Sequence, residues 1–263
     1  MKTYCLYHAN CSDGLAAAWV VKSIKKNAEC IPVHYGEPLP EIEDGSEVYI
    51  VDFSYKKEIL EKLNERVHYL LVLDHHKTAE EELEELEYCW FDMTSCGARL
   101  AWNYFHPGEK LPEFIKYIED RDLWKWELAH SEIINEALRS YNLTFEFFDE
   151  INSSFPEARL KIEGEALLRA KNKIVQQICN NAYPIMLFEH NGLTVNSGVY
   201  MSEIGQELAK RSGTFGECFF IQKDGTEIHS LRSIGDFDVS NLAKKLGGGG
   251  HKNAAGYTIK WEK

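Results

Sequence analysis

The stretch His68-Tyr-Leu-Leu-Val-Leu-Asp-His-His76 decides the fold. Its apolar part, residues 69–73, has the composition of a buried strand in a parallel sheet. Asp74, His75 and His76 follow at the point where that strand ends. In open α/β sheets, ligands bind at the carboxyl ends of the strands. The stretch therefore predicts an α/β fold and also the edge of the sheet at which a functional site lies.

Two further apolar runs end in the same way. The run over residues 47–51 is followed by Asp52, and the run over residues 3–7 is followed by His8 and, one turn later, by Asp13. Any one of these residues alone is as easily a helix cap or an ordinary polar residue. Taken together, with Asp120 further along the chain, they predict a divalent-metal site. Carboxylates and imidazoles suit Mn²⁺, Fe²⁺ or Mg²⁺ better than a thiolate zinc site would.

The order of the segments predicts two domains. Strands near Cys30–Tyr35, Glu47–Phe53 and His68–Leu73 alternate with helices up to about residue 105, which predicts a parallel sheet with right-handed crossovers. We assign residues 1–150 to this domain and residues 151–183 to a linker helix. Residues 184–263 carry hairpin signals at His190-Asn-Gly192 and Lys223-Asp-Gly225, which predict a smaller, mixed α/β domain.

Composition limits the classes of function. The net charge of −13 argues against binding long duplex nucleic acid, which requires a basic surface. The chain has seven cysteines, an odd number with no CxxC pair, and this is typical of a reduced intracellular protein. Neither a signal peptide nor an apolar run of about 18 residues is found. We therefore expect a cytoplasmic protein without a membrane segment.

A glycine run lies near the end of the chain. The segment Gly247-Gly-Gly-Gly-His251 could bring backbone N–H groups close to an anion, and Arg232 ends an apolar run where its guanidinium could bind a phosphate. A flexible loop is the alternative interpretation. The run matches neither a P-loop nor a dinucleotide-binding fingerprint. It predicts phosphate binding in the second domain.

Nucleophilic catalysis is a less favoured alternative for the first domain. Cys11 follows His8 closely, and cysteine–histidine pairs can form covalent intermediates. The sequence offers no third group that would orient the pair. We therefore interpret Cys11 as a buried filler.

Several segments resemble the DHH phosphoesterase family, the RecJ and nanoRNase superfamily with its DHH-associated C-terminal domain. In the first domain the resemblance rests on His8-Ala-Asn-Cys-Ser-Asp-Gly14, on Asp52, on Asp74-His75-His76 and on the acidic segment Ile118–Trp124. In the second domain it rests on Gly248-Gly-Gly-His251, on Ala254-Ala-Gly256 and on Arg232-Ser233. The resemblance covers nearly the whole chain.

The resemblance implies an enzyme with its active site in the cleft between two domains and two bound Mn²⁺ ions, with Mg²⁺ or Fe²⁺ as alternatives. A bridging water activated by the ions would attack phosphorus in line. Asp52 would bridge the ions. In the fourth motif Asp120 aligns best with the family's ligand, and Asp122 is its rival. The implied metal ligands are His8, Asp13, Asp52, Asp74, His75 and Asp120. The implied catalytic residues are His76, Asp52 and His75, and the implied substrate-binding residues are Arg232, Ser233, Gly248, Gly249, Gly250 and His251.

One departure from the family pattern keeps three functions open. The first motif has a single carboxylate, Asp13, with Asn10 and Ser12 where a second aspartate is expected. Asn10 could still offer a weak oxygen ligand. A phosphodiesterase that converts short oligonucleotides or linear dinucleotides to mononucleotides is the favoured hypothesis. The alternatives are a phosphomonoesterase or exopolyphosphatase on a small substrate, and a nucleotide-binding protein without catalysis.

Overall fold

The computed structural model describes residues 1–260 and divides into two compact units, Met1–Leu168 and Arg169–Lys263. The first unit contains a parallel sheet and the second a mixed sheet. The predicted α/β class, with a parallel sheet in the first unit and a mixed sheet in the smaller second unit, is confirmed. The division between the units falls inside the long helix Glu157–Cys179.

The first unit is built on five parallel strands in the order β2-β1-β3-β4-β5. Each is followed by a loop or helix that returns the chain to the amino-terminal edge of the sheet, as parallel pairing requires. The strands are β1 (Thr3–His8), β2 (Glu29–Val33), β3 (Glu47–Val51), β4 (Tyr69–Asp74) and β5 (Cys89–Phe91).

Helices cover both faces of this sheet. Along each strand, alternate side chains enter two separate apolar layers. Cys5, Tyr49 and Leu71 belong to one layer, while their neighbours Leu6 and Ile50 belong to the other. The helices are α1 (Ser12–Ile24), α2 (Lys57–Arg66), α3 (Lys77–Leu83), α4 (Gly97–Phe105), α5 (Glu113–Asp122), α6 (Ser131–Ser140), α7 (Phe145–Ser153) and α8 (Glu157–Cys179). α1 and α4 pack in the first layer and α2 in the second.

The second unit is a six-stranded sheet in the order β10-β11-β9-β8-β7-β6. β7 and β8 are parallel and are joined by helix α9, whereas the other neighbours are antiparallel. Its elements are β6 (Tyr183–Leu187), β7 (His190–Asn196), α9 (Met201–Ser212), β8 (Phe215–Ile221), β9 (Glu227–Ser233), α10 (Val239–Lys245), β10 (Gly249–His251) and β11 (Ala254–Ile259).

The two hairpins of this unit differ in how well the sequence located them. The β8–β9 turn includes the predicted Lys223-Asp-Gly225. The β6–β7 turn lies earlier than predicted, at Phe188, whose φ is 54°. Gly192 instead pairs with Ile185 inside the ladder. A Cβ atom on Gly192 would lie 2.6 Å from the ring of Phe215, so this glycine serves close packing and not the turn.

The last strand of the described residues, β11, ends at Ile259. Over the described chain, no helix combines the length and apolar character needed to cross a membrane. Each of the seven cysteines has a free thiol.

Helix α9 packs closely against the second sheet because residue 216 of β8 is a glycine. A Cβ atom on Gly216 would lie 2.2 Å from the carbonyl oxygen of Gly205 and 2.6 Å from Cβ of Leu208. We expect Gly216→Ala to lower the free energy of unfolding by about 1–3 kcal/mol, because the helix must move away from the sheet. Hydrogen exchange of the β8 and β9 amides measures this change. Gly198→Ala is the matched control, because its Cβ would meet Phe220 at an ordinary 3.6 Å; equal effects of the two substitutions would contradict the packing argument.

Candidate active site

The candidate site lies where the order of the first sheet reverses. β1 pairs with β2 on one side and with β3 on the other, so the loops after β1 and β3 leave a crevice between them. His8 is the last residue of β1, and Asp52 directly follows β3. Asp74 ends β4, the next strand along. The predicted gathering of these residues at one edge therefore follows from the strand order.

Asp52 lies at the centre of the cluster. It is 1% exposed and adopts the left-handed conformation, with φ of 62°, while its N–H donates to the carbonyl of Leu73. Left-handed backbone is uncommon outside glycine and concentrates at functional sites. Its Oδ1 lies 3.0 Å from Nε2 of His75, and its Oδ2 lies 3.5 Å from Nδ1 of His8. The two oxygens thus face two different imidazoles.

Two glycines leave space for Asp52 in this position. A Cβ atom on Gly97 would lie 2.6 Å from Cβ of Asp52, and one on Gly14 would lie 3.1 Å from Oδ2. Gly97 is the first residue of α4 and Gly14 lies in the first turn of α1, so both helix starts pass directly against the carboxylate. Side chains at either position would displace it.

His75 is surrounded by carboxylates. Its Nε2 lies 3.0 Å from Asp52, 3.6 Å from Asp122 and 3.7 Å from Asp13, and the residue is 1% exposed. Burial lowers the pKa of His75, but the hydrogen bond to Asp52 and the charges of Asp122 and Asp13 outweigh burial and raise the pKa to about 10. At neutral pH the imidazolium thus occupies a position suited to a cation.

Asp13 is oriented by the start of α4. The carboxylate accepts hydrogen bonds from the N–H groups of Gly97 and Ala98, at 2.6 and 2.9 Å. Asp13 itself lies in the first turn of α1, and the N-cap of that helix is Cys11. Burial, together with the charges of Asp52 and Asp122, raises the pKa of Asp13 well above its usual range. A bound cation would reverse this effect by neutralising the surplus of negative charge.

Asp74 orients the two histidines that follow it. Its Oδ1 accepts from the N–H groups of His75 and His76 and lies 2.7 Å from Nδ1 of His76. Burial raises the pKa of Asp74, but the charge and hydrogen bond of His76 outweigh burial and lower the pKa. The hydrogen bond fixes which ring nitrogen of His76 faces the carboxylate.

In the fourth motif, Asp120 and Asp122 make different contacts. The carboxylate of Asp120 accepts from the N–H groups of Glu127 and Leu128, which holds the loop after α5. Asp122, the last residue of α5, faces His75 instead. The sequence could not separate the two, since residues two apart on a helix point about 200° from each other and either could face the site.

Cys11, interpreted from the sequence as a buried filler, is partly exposed and lies beside the cluster. Its Sγ lies within 4.8 Å of a nitrogen of His8 and an oxygen of Asp52, so these three atoms form a group that could hold an ion. A second such group consists of Asp13, His75 and Asp122. Asn10, suggested as a weak ligand, is exposed. The feature of the sequence that could have drawn attention to Cys11 is its position two residues before Asp13.

An exposed aromatic ring also lies beside the cluster. Tyr35 follows β2 and is 52% exposed, with its ring centroid 4.9 Å from that of His8 and 5.5 Å from that of His76. The sequence analysis did not select it. The feature of the sequence that could have identified it is an aromatic residue at the carboxyl end of a predicted strand.

In the second unit, Arg232 and His251 lie on one face of the sheet. Arg232 of β9 and His251 of β10 both pair with Ala254 of β11, so their side chains share a face. Arg232 donates to the hydroxyl groups of Ser202 and Ser230. Ser233 is 2% exposed, and its hydroxyl donates to the carbonyl of Phe237, so this predicted substrate contact serves the turn after β9.

The glycine run of this unit is partly a strand. Gly249 and Gly250 belong to β10 and pair with β11, while Gly247 and Gly248 lie before that strand. A Cβ on Gly248 would lie 2.0 Å from the carbonyl oxygen of Gly256, and one on Gly250 would lie 2.6 Å from that of Ala254. Close approach of the two strands is therefore the physical requirement for glycine here.

The first-unit residues fit divalent ions. No hydrogen-bond donor of the described chain reaches Oδ2 of Asp52 or Oδ2 of Asp74, although both atoms are buried. Buried carboxylate oxygens without a partner are costly. Asp52 also lies between the two candidate groups, as a bridging ligand would. Together these features are what a site for two ions requires.

Comparison with known proteins agrees with this architecture. Residues 201–263 match the DHHA1 domain. The chain is 30% identical over 287 aligned positions to an uncharacterized protein of Acanthamoeba polyphaga mimivirus, covering 95% of this chain and 66% of the relative. It is 28% identical over 302 positions to oligoribonuclease NrnB of Bacillus subtilis, covering 97% and 73%. The chain thus spans about two thirds to three quarters of the length of these curated relatives.

Among solved structures, RecJ from Thermus thermophilus, crystallised with Mn²⁺, has the same fold. The TM-score is 0.54 at 15% identity, over 98% of this chain and 50% of RecJ. The fold, the carboxylate–histidine cluster and the sequence relatives together define a metal-dependent phosphohydrolase. The chain belongs to the DHH family of phosphoesterases.

The positions of Asp120 and Asp122 predict opposite behaviour of two conservative substitutions. We expect Asp122→Asn to weaken Mn²⁺ binding by at least about tenfold, because it removes a charged ligand from the His75 group. Asp120→Asn should leave the affinity within a few fold and instead loosen the loop after α5. Calorimetric titration of both proteins measures the affinities. The reverse ranking would restore Asp120 as the ligand.

The raised pKa of His75 predicts a pH-dependent affinity. The metal-free protein holds a proton on Nε2 up to a pH of about 10, and an ion must displace that proton to bind the same nitrogen. Mn²⁺ affinity should therefore rise with pH between 6.5 and 8.5, by roughly tenfold per unit for each proton released. Titrations in buffers of different ionisation enthalpy count the protons. The His75→Gln protein is the control and should release fewer; a pH-independent wild-type affinity would contradict this account.

Proposed function

We propose that the protein hydrolyses short oligonucleotides or linear dinucleotides to mononucleotides with two divalent ions. The observation that carries this proposal is Asp52, whose two carboxylate oxygens face His75 and His8 and lie between two ligand groups. A carboxylate in that position is the bridging ligand of a two-ion site. Two-ion sites are suited to in-line displacement at phosphorus, because they stabilise both the attacking and the leaving oxygen.

The ligand roles follow from the distances. Asp13, His75 and Asp122 would hold one ion, His8 would hold the other, and Asp52 would contact both. Asp74 would act mainly by orienting His75 and His76, because one of its oxygens accepts hydrogen bonds from both backbone N–H groups. When bound, the ions would supply positive charge at the phosphate and an activated water. Donors that are mostly carboxylate and imidazole favour Mn²⁺, with Mg²⁺ and Fe²⁺ as alternatives.

His76 is the residue we assign to the reacting phosphate. Asp74 fixes its ring by the 2.7 Å contact at Nδ1, and the side chain is less buried than that of His75. An imidazole held in this way can donate a hydrogen bond to a phosphoryl oxygen or a proton to the leaving oxygen.

Three observations favour a nucleotide substrate that is short. The exposed ring of Tyr35 lies beside His8 and His76, where a base could stack on it, and base stacking on an aromatic side chain is worth about 1–3 kcal/mol. The relative in Bacillus subtilis is an oligoribonuclease. The net charge of −13 disfavours long polyanions.

In the second unit, Arg232 and His251 are the residues we assign to substrate binding. They share one face of the sheet, and a guanidinium can bind a phosphate through two parallel hydrogen bonds. The glycines at positions 248–250 would contribute by allowing β10 to lie close to β11, which positions His251. We do not assign Ser233 to the substrate, because it is buried.

The test is release of product from a defined panel with Mn²⁺. The panel contains 5′-phosphorylated diribonucleotide and pentaribonucleotide, a 3′,5′-bisphosphonucleoside and polyphosphate. We expect mononucleotides from the two oligonucleotides, with kcat/KM reduced by roughly 100-fold or more in His75→Ala, because an ion ligand is lost. His68→Ala is the matched control, since His68 is an exposed histidine on the amino-terminal side of the same strand.

Other results would select the alternatives. Phosphate release from only the bisphosphonucleoside or polyphosphate would indicate a phosphomonoesterase or exopolyphosphatase. Tight nucleotide binding without turnover, in protein that also binds ions, would indicate a non-catalytic binder. Equal activity of the His75→Ala and wild-type proteins would reject this site altogether.

A further inference from the structure

Helix capping does not explain why a cysteine precedes α1 at position 11. Cys11 is the N-cap of α1, yet its side chain makes no capping hydrogen bond, and cysteine is not among the residues favoured at N-caps. Its Sγ instead lies within 4.8 Å of ligand atoms of His8 and Asp52. Atoms bound to one ion at about 2.0–2.3 Å are at most about 4.6 Å apart, so little adjustment would bring the three onto a single ion.

A second, independent observation indicates a cation-binding position at the same place. Oδ2 of Asp52 is the carboxylate oxygen on the His8 side, and it is buried without a hydrogen bond from any described residue. The other oxygen of Asp52 is already engaged by His75. A cation between Oδ2, His8 and Cys11 would satisfy an atom that the folded chain leaves without a donor.

We propose that Cys11 is a thiolate ligand of the second ion, so that the two ion positions differ in chemical preference. This proposal rests on the proposed two-ion function and specifies its metals. The group of Asp13, His75 and Asp122 offers oxygen, nitrogen and oxygen, which suits Mn²⁺ or Mg²⁺. The group of His8, Cys11 and Asp52 offers nitrogen, sulfur and oxygen, which suits Zn²⁺, Co²⁺ or Fe²⁺. As the sulfur–metal bond forms, the thiol proton passes to solvent and no electron is transferred.

The same assignment explains the single carboxylate of the first motif. Cys11 lies two residues before Asp13, in the extended residue that precedes α1. A thiolate there would carry one negative charge, as a carboxylate would. Compared with a carboxylate, a thiolate would therefore leave the total charge of the ligands unchanged and alter which ions this position prefers.

The test uses Co²⁺, because a cobalt–thiolate bond gives a charge-transfer absorption in the near ultraviolet. The full chain, reduced and free of metal, is titrated with Co²⁺ without air. We expect this absorption to grow with one of two equivalents, and to be absent from Cys11→Ser and Cys11→Asp. Cys96→Ser is the matched control, since Cys96 lies beside Asp13 and is the competing source of a thiolate. X-ray absorption of Zn²⁺-loaded wild-type protein should show one sulfur at about 2.3 Å.

Competition between ions supplies a second readout. Cys11→Asp should bind two ions, but its preference for Zn²⁺ over Mn²⁺ should fall by at least about tenfold relative to wild type. Absorption that persists in both Cys11 variants, or disappears in Cys96→Ser, would overturn the proposal. So would a Zn²⁺ site without sulfur in the wild-type protein, a result that does not depend on how any variant folds.

The two proposals fail in different ways. Hydrolysis of the oligonucleotides with Mn²⁺, together with no cobalt–thiolate absorption, would reject the role of Cys11 and leave the function intact. The absorption without hydrolysis of any substrate would reject the function and leave the ligand assignment intact.

Discussion

The structure of the first unit depends on one buried carboxylate, Asp52, which the end of β3 holds in a left-handed conformation between two imidazoles. Placing such a group in the interior is costly unless positive charge compensates it. Burial raises its pKa, but the hydrogen bond from His75 and the nearby ring of His8 outweigh burial and lower the pKa well below its usual range. The surrounding fold has room for this group, because Gly97 at the start of α4 and Gly14 in the first turn of α1 lie against it. The absence of side chains at these two positions is therefore a condition for the site.

The surplus of negative charge determines what the cluster can bind. One nitrogen of His75 lies near the carboxylates of Asp13, Asp52 and Asp122, and in the metal-free protein a proton on His75 neutralises part of their charge. A divalent ion would neutralise more of this charge, which links ion binding to proton release. Membership of the DHH phosphoesterase family accounts for this arrangement, and Cys11 gives this chain its own variation on it.

The second unit illustrates glycine used for packing. Gly192, Gly216, Gly248 and Gly250 each lie where a Cβ atom would meet backbone or a ring within 2.6 Å. From sequence alone, glycine runs suggest turns and anion-binding loops, since those are the commonest local reasons for glycine. Which reason applies depends on what lies across the sheet, and that neighbour comes from a distant part of the chain. The misplaced β6–β7 turn and the β10 strand both have this origin.

The sequence by itself determined the α/β class, the parallel order of apolar strands and the gathering of His8, Asp52 and Asp74 at their carboxyl ends. These features are local, because apolar runs specify buried strands and parallel strands align their ends. Only the tertiary structure placed Asp122 against His75 and Asp120 against the loop after α5, and only it brought Cys11 beside His8 and Asp52. Both outcomes depend on the direction of a side chain at the end of a helix. That direction is set by packing against other elements, which the order of residues along one segment does not contain.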